Sequence, residues 1–213
     1  MTTAAQINRN GRKFDQVLAG ARAVFMADGF EGASVDDIAR AAKVSKATLY
    51  SYFPDKRMLF MEVARAECRR QADEAVELID ETAPPELVLR AGGRRILSVL
   101  LSDFGQRMYR ICMAESDRFP ELGRYFYESG PALGRERISG YLRRAVGRGE
   151  LQIDDFDLAA DQFAELCKAS IFLRVMCGLT ATPTEAEVAR VVDGAVTTFL
   201  ARYANPTDGT ARR

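Results

Sequence analysis

Apolar residues along this chain recur at intervals of three and four almost from end to end, and no stretch alternates apolar and polar residues for long. That period belongs to amphipathic helices, so the chain is expected to be all-α, with about nine helices. The first covers roughly residues 12 to 28, with Phe14, Val17, Leu18, Ala21 and Phe25 on its inner face. Two short helices follow between Ser34 and Phe53, and a long one runs from Asp55 to about Thr82. Ala83-Pro84-Pro85 is the clearest punctuation in the chain. Beyond it the spacing predicts helices near 86 to 102 and 104 to 117, and a long one from 120 to 147 interrupted at Gly130-Pro131. Gly147-Arg148-Gly149-Glu150 reads as a turn. A helix from 155 to 177 then precedes a last one capped by Thr182, with Pro183 in its first position, ending near Tyr203. The termini, about ten residues at the start and 206 to 213 at the end, read as disordered.

Residues 34 to 56, SVDDIARAAKVSKATLYSYFPDK, carry the most information. Ser34 is placed to cap a helix, with Asp37 as the acidic half of a capping box. Ile38, Ala39 and Ala42 form its inward stripe, Lys43-Val44 makes the turn, and Ser45 caps a second helix. That helix runs from Lys46 to about Tyr52 and stops because Pro54 disfavours helical geometry at Phe53. Leu49 and Phe53 are its buried face. Lys46, Ala47, Thr48, Tyr50, Ser51 and Tyr52 are left pointing outward or along the edges, a surface suited to a nucleic-acid groove. Helix-turn-helix geometry by itself is shared by many all-helical proteins.

The run Ser34, Val35, Ile38, Ala39, Val44, Ser45, Thr48, Leu49, Tyr50, Tyr52, Phe53, Lys56 resembles the DNA-binding signature of TetR-type bacterial repressors. Val24-Phe25 and Asp28-Gly29-Phe30 resemble the end of that family's first helix, and ESDRFPELGRYFYESGP, from Glu115 to Pro131, is similar to a motif in the ligand domains of one subgroup. The resemblance implies a three-helix DNA-binding head over residues 1–55, its helix-turn-helix at 34–53. A ligand-binding and dimerisation bundle over 56–205 follows. It also implies that Lys46, Ala47, Thr48, Tyr50, Tyr52 and Lys56 touch DNA. From the residues themselves, Lys46 reaches a base edge or a phosphate, and Ala47 and the Thr48 methyl suit a thymine methyl. The Tyr50 and Tyr52 hydroxyls and the Lys56 charge suit phosphate. Ser34 and Val35 can present backbone N–H groups to phosphate. Asp36 does not fit beside a phosphate.

Composition narrows the alternatives. The chain has 47% apolar and 28% charged residues, the balance of an ordinary globular protein. It has no histidine, which removes Ser-His-Asp and Cys-His catalysis and His-ligated zinc. No phosphate-binding glycine loop appears, so an enzyme is not expected and neither is a metal or cofactor. The four cysteines, Cys68, Cys112, Cys167 and Cys177, lack CxxC spacing and read as buried thiols, with a redox switch as the alternative. No apolar run approaches the length of a membrane span, and the polar, basic start lacks a secretory core, so a cytoplasmic protein is expected. Formal net charge is zero. Residues 1 to 57 nevertheless hold nine Lys or Arg against six Asp or Glu, a head of +3 on a body of −3. That asymmetry orients the molecule towards phosphate.

Two further tasks fall to the body. The helices at 155–177 and 183–203 have wide apolar faces, and Phe163, Leu166, Leu173, Val188, Val192 and Phe199 are expected at a four-helix homodimer interface. A monomeric bundle needs such faces too. Phe104, Met108, Tyr109, Cys112, Met113, Phe126, Tyr127, Phe172 and Met176 are candidates for lining a small hydrophobic effector's site, as the resemblance implies, although Met and aromatic stripes at helical spacing also make plain core. Arg107, Glu115 and Lys168 could orient such a ligand. The expected function is a ligand-responsive repressor on a palindromic operator. A helical protein–protein adaptor is the alternative, told apart by salt-dependent binding to duplex DNA.

Overall fold

The computed structural model describes residue 11 and residues 13–78, 82–117 and 120–205; the side chains of Cys68, residues 71–78 and Glu115 lie outside that description. The two termini expected to be disordered also fall outside it, apart from Gly11.

Eleven helices are present among the described residues: α1 Phe14–Gly32, α2 Val35–Ala41, α3 Lys46–Tyr52, α4 Lys56–Leu78, α5 Pro85–Leu100, α6 Asp103–Glu115, α7 Pro120–Ser129, α8 Pro131–Gly147, α9 Phe156–Lys168, α10 Ile171–Met176 and α11 Glu185–Tyr203. The excess over nine has two sources. The interruption at Gly130-Pro131 is a full break, giving α7 and α8. The expected 155–177 helix is also two, because Ser170 adopts φ 59, ψ −30 and the Ile171 N–H turns back onto the Ala169 carbonyl at 2.7 Å. The start of α11 moves as well. Thr184, not Thr182, is the cap: its hydroxyl accepts the Glu187 N–H and the Glu187 carboxylate takes the Thr184 N–H, closing a capping box. Beyond helices, one antiparallel bridge joins Leu151 to Ala204.

The chain separates into two compact units, Met1–Arg69 with Arg107–Ser129, and Arg70–Gln106 with Gly130–Arg213. The first unit runs past residue 55, where the head was expected to end. Leu59, Phe60, Met61, Val63 and Ala64 of α4 are all buried. Phe60 meets Phe25 edge-on at 5.0 Å and Phe30 at 5.0 Å, so the first turns of α4 complete the head core.

In the first unit α1 supplies the floor. Phe14, Val17, Ala21, Val24 and Phe25 are buried, while Leu18 is only half-buried. Gly20 sits at the closest approach: a Cβ there would stand 2.5 Å from the Ala42 nitrogen and 2.7 Å from its Cα. The helix kinks at Gly29, whose φ of 72 and ψ of −177 a side chain would not tolerate. Arg22 then ties α1 to α4 through the buried carboxylate of Glu67, Nε to Oε2 at 2.8 Å.

The second unit is built around α5, α8, α9 and α11. Leu97, Leu142, Ala160, Cys167 and Val192 are fully excluded from solvent, and Phe163 meets Phe199 edge-on at 5.4 Å. Of the residues expected at a dimer surface, Phe163, Val192 and Phe199 are 1%, 0% and 1% exposed within a single protomer. Burial pushes the Cys167 thiol up to about 12, which makes it an inert core group. Among the described helices none is long and apolar enough to cross a membrane.

Because the atoms facing Gly20 are the backbone and Cβ of Ala42, no rotamer change can make room for a methyl group. Gly20→Ala is expected to destabilise the protein by about 1–3 kcal/mol, read as a lower urea midpoint. An unchanged midpoint would mean that α1 and the turn at Ala42 do not sit this close.

Candidate nucleic-acid interface

The presentation of α3 begins with its two caps. Ser34 Oγ accepts the Asp37 N–H at 3.1 Å and donates to Asp37 Oδ2 at 2.5 Å. The box is therefore half-formed: the aspartate carboxylate meets the Ser34 hydroxyl, and its other oxygen takes Arg40 Nη1 at 2.6 Å. The Ser34 hydrogen bond, then that of Arg40, hold the Asp37 carboxyl below its ordinary value.

The turn closes on Lys43, in the left-handed region at φ 52, while the Val44 N–H bonds the Ala39 carbonyl at 3.0 Å. Val44 is half-buried between the helices. Ser45 Oγ accepts the Thr48 N–H at 3.0 Å and starts α3. Leu49 and Phe53 are fully buried, and the Phe53 ring stacks on Phe14 at 5.3 Å. With one face of α3 anchored, the other is fixed in space. Lys46, Ala47, Tyr50 and Ser51 are exposed, Tyr50 at 49%.

The remaining expected contact residues divide. Thr48 is half-buried, its hydroxyl 2.8 Å from that of Ser45. Tyr52 is half-buried too, edge-on to Phe14 at 6.0 Å and close against Gly11. Val35 is half-buried at the start of α2 and Ser34 is exposed. Lys56 departs most from expectation. Its ammonium donates to the Phe30 carbonyl at 2.8 Å and the Ala33 carbonyl at 3.0 Å, and lies 4.6 Å from the Phe30 ring centre.

Asp36, which had no evident role, pairs with Lys46 at 2.7 Å across the gap between α2 and α3. Nothing in the linear sequence marks that pairing. The hydrogen bond that Lys46 donates to Asp36 raises the Lys46 pKa and keeps its ammonium charged.

The candidate effector residues do not gather in one unit. Met108, Tyr109, Cys112, Met113, Phe126 and Tyr127 belong to the first, and Phe104, Phe172 and Met176 to the second. Cys112 is fully buried, its thiol contacting the sulfurs of Met108 at 3.6 Å and Met61 at 3.9 Å, so Met108 and Cys112 act as core. Tyr109 meets Phe126 edge-on at 6.0 Å, whereas Met113 and Tyr127 are each 46% exposed. Of the polar candidates, Lys168 pairs with Glu165 and Arg107 lies against Gly29. Glu115 is outside the described side chains.

The family model for bacterial regulatory proteins of the tetR family matches residues 17–63, and the model for the AefR-like transcriptional repressor C-terminal domain matches residues 87–205. The chain belongs to the TetR family. Among curated TetR-family relatives, the transcriptional repressor AcnR of Corynebacterium glutamicum is 22% identical over 93% of this chain and 92% of its own. A TetR-family regulator structure from Mesorhizobium loti superposes with a TM-score of 0.77 at 28% identity, covering 92% of this chain and 99% of that one. The flavonoid-responsive regulator FrrA superposes with a TM-score of 0.68 at 34% identity, over 92% and 99%. These proteins are DNA-binding transcriptional regulators and not enzymes, and regulators of the TetR family act as dimers.

The depressed Asp37 pKa sets a pH dependence. A carboxyl held lower in the folded state than in the unfolded one stabilises the head above its ordinary range, and that contribution is lost as pH falls through the lowered value. Asp37→Asn is therefore expected to flatten the loss of stability as pH falls below about 5. Urea midpoints across that range measure it, and parallel profiles for the two proteins would remove Asp37 from the cap.

Proposed function

We propose that this chain is a cytoplasmic, dimeric repressor that docks α3 in the major groove of a palindromic operator and is released by a small apolar effector. The observation that carries this reading is the fixed, solvent-facing row Lys46, Ala47, Tyr50 and Ser51 on a helix whose opposite face is locked by Leu49 and Phe53. A helix presented this way places its first residues at base edges and leaves its flanks for phosphate. Lys46 reads a base, Ala47 and the half-buried Thr48 contact a thymine methyl, and the Tyr50 and Ser51 hydroxyls anchor phosphate. The Ser34 and Val35 backbone and the half-buried Tyr52 hydroxyl flank them.

One head makes few contacts, so two are needed, about 34–36 Å apart on successive turns of the duplex. The dimer contact is assigned to apolar side chains the protomer leaves uncovered. Leu158 of α9 is 51% exposed and Leu173 of α10 is 69%, with Leu166 and Val188 half-buried. Supporting an apolar effector are the half-buried Phe126, edge-on to Tyr109 in the first unit, and the solved relative named as flavonoid-responsive. Binding in the body would bias the heads through α4, which belongs to the first unit up to Arg69 and to the second from Arg70.

Fluorescence anisotropy on the duplex upstream of the protein's own gene tests the reading. Lys46→Ala is expected to narrow the gap between that duplex and random sequence by about 1–3 kcal/mol, and Leu158→Glu with Leu173→Glu to give monomers on sedimentation that lose the operator. A wild type that binds no duplex in a salt-dependent way refutes DNA recognition, and a double variant that stays dimeric moves the interface.

For the effector, linkage requires that DNA weaken ligand binding by the factor that ligand weakens DNA binding, about 5- to 150-fold for a coupling of about 1–3 kcal/mol. Thermal-shift screening of flavonoids, with long-chain fatty acids as an aliphatic arm, identifies binders to be titrated again with operator present. A compound bound equally well in both titrations is not the inducer.

A further inference from the structure

We propose that Lys56 is a positioning residue for DNA recognition: its ammonium holds the start of α2 in place and makes no phosphate contact of its own. The inference rests on the DNA-binding reading above and changes what this cation does within it. Three contacts converge on one nitrogen, the carbonyls of Phe30 and Ala33 at 2.8 and 3.0 Å and the face of the Phe30 ring at 4.6 Å. A lysine ammonium has three protons to donate, and two are committed to these carbonyls.

The segment it grips is the one that needs holding. Gly29 breaks the regular course of α1, and residues 30 to 33 lead directly to Ser34, the cap of α2. The Ala33 side chain is 1% exposed and its N–H bonds the Gly29 carbonyl at 3.2 Å, so the chain is pinned from both directions at that point. Lys56 is itself placed by the start of α4, where the Asp55 side chain accepts the Met58 N–H at 2.9 Å. The ammonium therefore ties the first turn of α4 to the residue before α2. Were it to swing to a phosphate, it would give up two charge-assisted hydrogen bonds and the aromatic face for one ionic contact in water. The α2 start, and through it the Ser34 and Val35 amides and the turn onto α3, would lose its anchor.

The experiment is a salt series on the full chain, by anisotropy, with the upstream duplex and with a random duplex of equal length. Lys56→Met is expected to weaken binding to the upstream duplex about tenfold while the slope of log K against log salt stays that of the wild type, because no phosphate partner has been removed. Amide exchange of Val35 to Asp37 in the DNA-free variant should be faster. A slope shallower by about one would show a direct phosphate contact and overturn the proposal, as would affinity and exchange equal to the wild type. If Lys56→Met does not fold, Phe30→Leu decides, since it keeps the cation and removes the ring beneath it. About threefold weaker binding at unchanged slope supports positioning, and unaltered binding overturns it. A wild type that binds neither duplex refutes the DNA reading before any variant is made, and this proposal with it.

Discussion

The approach of α1 to the turn at Ala42, with no side chain on Gly20 to hold them apart, is the constraint from which the head is built. At that distance the two backbones leave one relative placement, and α2 and α3 inherit it through a turn only a few residues long. The aromatic contacts then act on a geometry already fixed. Phe53 stacks on Phe14 at the start of α1, and Phe60 closes on Phe25 and Phe30 near its end. Each clamps one end of α1, while Gly20 sets the middle. A methyl at that point would lever the turn outward and tilt the exposed row on α3. A recognition surface this small has no slack to absorb that.

Electrostatics in the head is more economical than its charge count implies. Of the two lysines expected to reach DNA, Lys56 is engaged by backbone carbonyls and Lys46 by Asp36, and Arg40 nearby is engaged by Asp37. The Asp36 pair is well exposed on both sides, so it is cheap to open and adds little to folding. Its physical effect is on selectivity. A lysine already offered a carboxylate gains less from a nonspecific phosphate than a bare one does, while a guanine edge still offers two acceptors in a fixed place. A head with an excess of only three positive charges suits the proposed reading of DNA by a few directed bonds.

How much of this was legible in the sequence depends on whether the signal is local. Ser34, Ser45 and Pro54 act within three or four residues of their own position, and the helix starts and stops they mark are where the structure has them. Thr184 is equally local but ambiguous: Thr182 has Glu185 three residues on as Thr184 has Glu187, and Pro183 favours Thr182 as the cap, so the sequence offers two starts of which the structure uses the later. The break at Ser170 carries no local sign. Phe163, Cys167, Ile171 and Val175 keep a spacing of four straight across it and are all buried, so the apolar period continues where the helix does not.

What the period cannot convey at all is how far a face is covered. Phe163 and Phe199 belong to the same kind of stripe as Leu158 and Leu173, yet the phenylalanines meet each other inside one protomer and the leucines are left bare. A stripe says that a face will be buried against something, and whether that is the protomer's own core or a second copy depends on contacts far apart in sequence. The same ambiguity runs through the methionines. Met108 fills the space beside Cys112 and Met61, while Met113, five residues on and so on another side of α6, is nearly half exposed. The pattern that encodes the fold is degenerate with respect to function: a core, an interface and a ligand wall are written in the same residues, and only the three-dimensional neighbours distinguish them. The exposed face of α3 escapes that degeneracy, because Lys46, Ala47, Tyr50 and Ser51 are polar or small on a surface that packing does not require.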